Sequence, residues 1–281
     1  MQVETNGFER RNYSRMAIRT IFSMTEECAA GERTGWFDFV RDYGPVSRTL
    51  LTHYFPPLVP EMETHVAGPF ARAYANEYEW FRQLKFQNER EFAMAFRELV
   101  FAYGRQAARL PKPEISLEQF REIVKDLPVV ERQLLWLCVK GYTATEIAPM
   151  MMNAEATATA VKEIADKRLA EVLPEATSSA FTVSARALME AAEQTKSDQC
   201  LSLRTYNNLV NGQITWRERE LAEQHMRDCF YCLDRFTGYQ EMIRINKDRK
   251  PLADAEVQKI LSSLGIKAGE KKKGFLARLI G

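Results

Sequence analysis

LPVVERQLLWLCVKGYTATEIAPMM, residues 127–151, contains the signals of two consecutive helices. Pro128 suits the first turn of a helix, and the apolar side chains that follow recur every three or four residues. Gly141 ends this first helix. Thr143 can cap a second helix, with Glu146 three residues later as its reciprocal partner.

A longer amphipathic helix is predicted directly afterwards, over residues 154–172. Its inward side chains share one helical face: Ala158, Val161, Ala165, Leu169 and Val172. Two helices joined by a tight turn predict a helix-turn-helix motif.

Helical spacing of apolar residues continues through most of the chain, whereas two-residue alternation is rare and short. We therefore expect an all-α protein of helical domains, which we call blocks. The predicted organisation is a first block at 12–108, a second block at 116–173 that holds the helix-turn-helix, a linker at 174–199, a third block at 200–248, and a short helix with a basic tail at 249–281. Residues 109–116, RLPKPEIS, are a predicted linker with two prolines, and its Ser116 is a candidate cap for the next helix.

The composition is that of an ordinary globular protein. Of 281 residues, 46% are hydrophobic and 27% are charged, with a formal net charge of +1. A uniformly basic nucleic-acid binder is not indicated, so any such function needs a local patch. No charge-free apolar run approaches the roughly 20 residues of a membrane span, and the first residues lack the apolar stretch of a signal peptide. We expect a cytoplasmic protein.

Five cysteines occur, at Cys28, Cys138, Cys200, Cys229 and Cys232. An odd number without an export signal argues against a disulfide framework and leaves metal binding or burial. Cys138 lies on an apolar helical stripe and is expected in the core.

EQHMRDCFYC, residues 223–232, has metal-ligand spacing. His225 and Cys229 are four residues apart, on one helical face, and Cys232 completes a C-x2-C pair. Cys200, 24 intervening residues before His225, could be the fourth ligand. A Cys3His set suits one tetrahedral Zn²⁺. The alternative is a solvent-facing histidine beside cysteines that are small buried hydrophobes.

A site closed by four protein ligands has no open position for a catalytic water, so the predicted zinc is a structural staple or a redox switch. The chain has three histidines, and we find no nucleophile-base pair or phosphate-binding glycine loop. We expect that it is not an enzyme.

The pattern from Cys200 to Cys232 resembles the zinc-binding anti-sigma domain, which has an upstream Cys or His and then H-x3-C-x2-C about two dozen residues later. Asn211-Gly212 falls at the turn of that family's Y-L-D-G-E-L motif, and Glu218 and Glu223 are in phase with its later glutamates. The resemblance covers some 35 residues and implies a small zinc-stapled helical domain.

The second block is similar to the promoter-reading C-terminal domain of extracytoplasmic-function sigma factors. Residues 127–151 follow that family's L-P-x-x-E-R … G-x-S-x-x-E-I-A motif without a gap, and its next helix falls on 154–165. By position in these motifs, five residues are candidates for DNA contacts: Thr143, Glu155, Thr157, Thr159 and Lys162.

The predicted helix at 154–172 departs from the sigma-factor family at three positions. The family usually has arginine or histidine there, whereas this chain has Val161, Glu163 and Ile164. Residues 116–173 contain seven Lys or Arg and nine Asp or Glu, a net charge of −2. Phosphate contacts need positive charge, so weak DNA affinity is expected.

In the first block, FARAYANEYEWFRQL (70–84) and EREFAMAFRELVFAYGR (89–105) resemble the polymerase-binding and promoter-melting helices of the same family. Aromatic residues are frequent here: Trp36, Tyr74, Tyr78, Trp80 and Phe81. At helical spacing they fit a packed core better than platforms for stacked bases.

These resemblances imply a bacterial regulator of transcription initiation, a sigma-factor-like protein with a fused zinc-binding anti-sigma-type domain, and RNA polymerase core and promoter DNA as partners. The rival is a sigma mimic that binds a partner sigma or anti-sigma factor without reading DNA. The tail, with Lys271 to Lys273 followed by Phe275, Leu276, Leu279 and Ile280, could dock on a partner or an acidic membrane surface, or be a frayed terminus.

Overall fold

The computed structural model describes residues 20–108, 115–152, 154–172 and 180–266. Over these residues the chain forms fourteen α-helices and one 3-10 helix, with no strand, which confirms the predicted all-α class.

The first block contains five α-helices and the 3-10 helix at Pro56–Glu61. The α-helices are α1 (Ile21–Ala29), α2 (Arg33–Tyr54), α3 (Met62–His65), α4 (Gly68–Gln83) and α5 (Glu89–Ala107). Its aromatic residues form a core: Phe39 is fully buried, and its ring lies 4.9 to 5.3 Å from those of Phe70, Phe81 and Phe96. Trp36 is also fully buried. These rings hold the block together and are not available as a platform for bases.

The second block consists of α6 (Leu117–Val124), α7 (Val129–Val139), α8 (Ala144–Met151) and α9 (Glu155–Val172). Capping boxes start α6, from Ser116 and Gln119, and α8, from Thr143 and Glu146. The sequence predicts the cap at Ser116 and the pair of Thr143 and Glu146, but not the part of Gln119. Gly141 has a φ of +91°, which favours glycine at the end of α7.

The helix-turn-helix is formed by α8 and α9, which pack on each other and on α7. Ile147, Ala158 and Val161 are buried, as their helical spacing requires. The predicted inward side chains of Ala165, Leu169 and Val172 lie outside the described residues.

Residues 180–193 differ from the linker predicted at 174–199, because they form helix α10 (Ala180–Glu193). Leu188 and Ala192, four residues apart, are buried with Met189, and α10 packs on α7 and on the helix that begins at Phe230. Small residues made this segment look loose in the sequence, whereas Leu188, Met189 and Ala192 are buried in the structure.

The third block contains α11 (Leu203–Asn211), α12 (Trp216–Asp228) and α13 (Phe230–Asp248). Ser202 caps α11, Gly212 ends it with a φ of +66°, and a capping box from Thr215 and Glu218 starts α12. Helix α13 packs against α5 of the first block, α7 and α8 of the second block, and α10. The three blocks are therefore joined around one helix.

After α13 the chain returns to the first block as α14 (Asp254–Ser263), the short helix that the sequence predicts. The Leu252 backbone N–H donates to the Arg41 carbonyl at 2.9 Å, and Arg48 pairs with Glu256 at 2.8 Å. The basic tail with Lys271 to Lys273 lies outside the described residues, as do the residues before 20. No helix in the described part of the chain has both the length and the apolar character that crossing a membrane requires.

Candidate metal centre

The four predicted metal ligands meet where α12 and α13 join. Cys200 lies in the turn after α10, and His225 is in the last turn of α12. Cys229 is the one residue between α12 and α13, and Cys232 is in the first turn of α13. The ligand atoms of these residues, which we call the Cys/His cluster, all lie within 4.8 Å of one another.

The cluster has dimensions close to those of a tetrahedral site. The Sγ atoms of Cys200 and Cys229 are 3.8 Å apart, and His225 Nε2 is 3.2 Å from Cys232 Sγ. Metal–sulfur bonds of about 2.3 Å at tetrahedral angles place two sulfurs about 3.8 Å apart and a sulfur and a nitrogen about 3.6 Å apart. One cation therefore fits among the four atoms after small shifts.

Backbone N–H groups support two of the sulfurs. The Leu201 N–H donates to Cys232 Sγ and the Ser197 N–H donates to Cys200 Sγ, each at 3.2 Å. Hydrogen bonds of this kind favour the thiolate and orient it, and the N-terminus of α13 adds a favourable dipole at Cys232.

The two cysteines of the C-x2-C pair influence each other's ionisation. A hydrogen bond from Cys232, which outweighs the opposing effect of burial, lowers the pKa of the Cys229 thiol to about 5. The same interaction, together with burial, raises the pKa of Cys232. The interaction therefore favours the thiolate form at Cys229, and the thiolate is the form that coordinates a metal.

The knuckle between Cys229 and Cys232 is anchored in the core of the second block. Phe230 is 1% exposed and stacks on Trp136, with ring centroids 5.7 Å apart, and it also contacts Phe120. The sequence did not indicate this contact between blocks.

Arg132 provides a second link to the knuckle. Its buried guanidinium donates to the backbone carbonyls of Lys125 and Leu127, just after α6, and of Arg227, near the end of α12. Arg227 is two residues before Cys229. Arginine suits this position because one rigid group presents several donors to carbonyls at two helix ends.

A group of four buried charges, which we call the ionic cluster, lies along α13 beyond the metal ligands. Asp234 Oδ1 is 2.9 Å from Lys140 Nζ at the end of α7, and Glu241 Oε2 is 3.1 Å from Arg97 Nε on α5. Tyr54 and Tyr142 donate hydrogen bonds to Glu241. The two carboxylates are seven residues apart, so they lie on one face of α13 and reach both earlier blocks.

Burial raises the pKa of the Asp234 and Glu241 carboxyl groups, but attraction by the neighbouring cations outweighs the effect of burial. The charges of Arg97 and Lys140 lower the pKa of Glu241 and of Asp234, and hydrogen bonds from Tyr142, Tyr54 and Trp136 act in the same direction. The ionic cluster is therefore two ion pairs of opposite charges, in which Arg97 Nη2 is buried without a hydrogen-bond partner among the described residues.

The five candidates for DNA contacts are exposed, but their side chains have other partners or carry no charge. Thr143 caps α8, and Glu155 accepts a hydrogen bond from Thr145 at 3.0 Å. Lys162 pairs with Asp166 at 2.6 Å, and Thr159 donates to the Glu155 carbonyl. Thr157 is exposed. The positive charge of Lys162 is thus already compensated.

The third block thus contains a candidate metal centre that packs on the second block, and the buried ionic cluster connects α13 to the first and second blocks. Comparison of the chain with protein-family models, with curated proteins and with solved structures gave no match.

Proposed function

We propose that this chain is a regulator of transcription initiation, a sigma-factor-like protein that carries its own zinc-binding, anti-sigma-type domain. The observation that carries the proposal is the position of α13. Through Glu241 and Arg97 this helix of the third block holds the first block, and through Asp234 and Lys140 it holds the second block. A regulatory domain that controls both sigma-like parts needs contacts of this kind with each of them.

The proposed metal is Zn²⁺. Three thiolates and one imidazole form a set of soft and borderline ligands that zinc prefers, whereas Ca²⁺ and Mg²⁺ take oxygen ligands. Four protein ligands leave no open position, so the ion stabilises the elbow between α12 and α13. Because Phe230 of that elbow packs on Trp136, loss of zinc would weaken the contact between the second and third blocks.

Polymerase binding tests this function. Full-length protein is mixed with core RNA polymerase in its zinc-loaded form and after chelation, and association is measured by co-purification and by anisotropy of a labelled chain. We expect association in at least one form, with stronger binding after chelation if α13 masks the polymerase-binding helices. A chain that binds core polymerase in neither form would contradict the proposal.

A second candidate function, a sigma mimic that binds a partner sigma or anti-sigma factor without reading DNA, is favoured by the charges of α9. Glu155 and Glu163 are exposed on this helix, and Lys162 is paired with Asp166. The net charge of −2 over residues 116–173 opposes binding to phosphates.

Promoter binding by the full chain together with core polymerase separates the two functions. The sigma-factor function predicts a sequence-specific complex that weakens as salt rises and is impaired by Lys162→Glu. The mimic predicts no contribution of α9 to DNA affinity. Specific binding that depends on Lys162 and Thr157 would therefore exclude the mimic.

A further inference from the structure

A groove of about 520 Å³ lies where the second and third blocks meet. Methionine is its most frequent apolar residue, and we call it the methionine groove. Its apolar lining comes mainly from the first turn of α7, the end of α8, α12 and α13: Val130, Met150, Met151, Met152, Met226 and Ile243. None of the metal ligands and none of the five DNA candidates lines it.

Apolar side chains project from this groove into solvent. Met152 is 96% exposed, Val130 43% and Val210 37%. Single exposed apolar residues are ordinary, but a contiguous group around a groove is typical of an interaction site. Methionine side chains adapt to the shape of a partner because they are unbranched and polarisable.

Trp216 extends the same surface along α12. It is 76% exposed and precedes Arg219, Glu223 and Met226, which line the groove, at spacings of three, seven and ten residues. These spacings place all four on one face of the helix. An exposed tryptophan at the edge of an apolar groove is a suitable anchor for a partner protein.

The charged residues of the groove are mostly cationic: Arg219, Arg244 and Lys247 stand with one carboxylate, Glu223. Arg244 Nε pairs with Asp248 at 2.8 Å. Within the described ranges of the chain, neither Arg219 nor Lys247 forms an ion pair. Arg219 and Lys247 are therefore available to a bound partner, and Glu223 is the one carboxylate beside them.

We propose that the methionine groove binds an amphipathic helix of a partner protein, with its apolar face against the methionines and with aspartate or glutamate at its flanking positions. Insertion of a helix into an apolar groove is a common mode of recognition, and flexible methionine surfaces serve it well. The chain's own basic tail is a poor occupant, because Lys271 to Lys273 would approach Arg219 and Lys247. The proposal does not depend on the role in transcription.

The test uses the full zinc-loaded chain and two labelled synthetic peptides of about five helical turns, about 18 residues each. Both carry leucine at every third or fourth position. One has glutamate and the other has lysine at the flanking positions. We expect the glutamate peptide to bind about tenfold or more tightly than the lysine peptide in anisotropy titrations at physiological ionic strength.

Substitutions in the methionine groove test whether the glutamate peptide binds there. Met152→Glu should weaken binding of the glutamate peptide about tenfold, and Arg219→Glu with Lys247→Glu should reverse the preference between peptides. These side chains are exposed, so the fold should persist, as circular dichroism can verify. Leu221→Glu is the matched control, because Leu221 is 58% exposed but lies on the opposite face of α12 from Arg219 and Glu223.

Any of three outcomes would overturn the proposal. The glutamate peptide does not bind, both peptides bind equally well, or Met152→Glu leaves the binding of the glutamate peptide unchanged. A dimer in sedimentation that Met152→Glu abolishes would assign the groove to a second copy. Binding that appears only after deletion of 267–281 would assign the groove to the chain's own tail.

Discussion

Lys140 and Asp234 form an ion pair that is buried between the second and third blocks, with Nζ and Oδ1 2.9 Å apart. Lys140 is 3% exposed and Asp234 is 6% exposed. The lysine also donates to Thr237 Oγ1 at 2.8 Å, and the carboxylate accepts a hydrogen bond from Trp136 Nε1 at 2.9 Å. The pair is therefore held by neutral partners on both sides.

Removal of one member of this pair should destabilise the chain strongly. Asp234→Leu leaves Lys140 buried without its counter-charge, and we expect a loss of about 3–5 kcal/mol in the free energy of unfolding. Replacement of both residues, Lys140→Met with Asp234→Leu, should restore most of that loss because neither member of this pair is then left as a buried charge without its partner. Urea denaturation of the zinc-loaded proteins measures the free energy of unfolding of the single and the double variant. Equal losses for the single and double variants would show that the charges are not coupled.

The pH dependence of stability should report the ionic cluster. The pKa of Glu241 is lowered from 4.5, because attraction to Arg97 and Lys140 and hydrogen bonds from Tyr142 and Tyr54 outweigh burial. A lowered folded-state pKa gives stability that is present above pH about 4.5 and is lost as pH falls through the folded-state value. Glu241→Gln lacks the negative charge that Arg97 and Lys140 attract, so this variant should be less stable than wild type at pH 7. Its residue 241 also does not titrate.

The difference in the free energy of unfolding between wild type and Glu241→Gln should accordingly narrow as pH falls below about 4.5 toward the lowered folded-state pKa of Glu241. Acid also weakens metal binding by the Cys/His cluster, but this affects both proteins, and the difference between them isolates residue 241. Denaturant titrations across this pH range measure the difference. A difference that stays constant would mean that Glu241 does not titrate with unfolding in this range.

Local features of the fold could be predicted from the sequence. The helix caps at Ser116 and Thr143 could be predicted because the partner of each cap is only three residues away. The H-x3-C-x2-C ligands could be predicted because they lie within eight residues. Such short-range patterns can be recognised from a few consecutive residues.

The contacts between blocks could not be predicted in this way. Arg97 and Glu241 are separated by 144 positions, and Lys140 and Asp234 by 94. A charged residue on the buried face of a helix such as α13 indicates a buried partner, but it does not identify which one. The sequence permits a helix after Ser184 but the segment is predicted as a linker, since the burial of Leu188 and Ala192 depends on distant parts of the chain.

Metal content gives a direct test of the Cys/His cluster. We expect one zinc per chain, and loss of that zinc when Cys229→Ser and Cys232→Ser remove two of four ligands. Cys138→Ser is the matched control, because Cys138 is partly buried but lies outside the cluster. Elemental analysis after gel filtration measures the ratio. Zinc retained by the double serine variant would disprove the site.

Arg132 should couple the second block to the metal centre. Its guanidinium reaches the carbonyls of Lys125, Leu127 and Arg227, and a lysine ammonium cannot reproduce that planar geometry. Arg132→Lys should therefore leave some of these carbonyls without a donor from residue 132. Because the hydrogen bond to Leu127 is buried, we expect a loss of about 1–3 kcal/mol in the free energy of unfolding.

Because Arg227 precedes Cys229 by two residues, the same change should also weaken zinc binding, by about tenfold to a hundredfold in competition with a chelator. Arg227→Lys is the control: its side chain is exposed, and the backbone carbonyl that Arg132 contacts is retained. If Arg132→Lys lowers stability but leaves zinc affinity at the level of Arg227→Lys, Arg132 only holds two helix ends together. If zinc affinity falls with stability, the guanidinium positions the elbow that carries Cys229 and Cys232, and the state of the metal is then linked to the packing of the helix-turn-helix block.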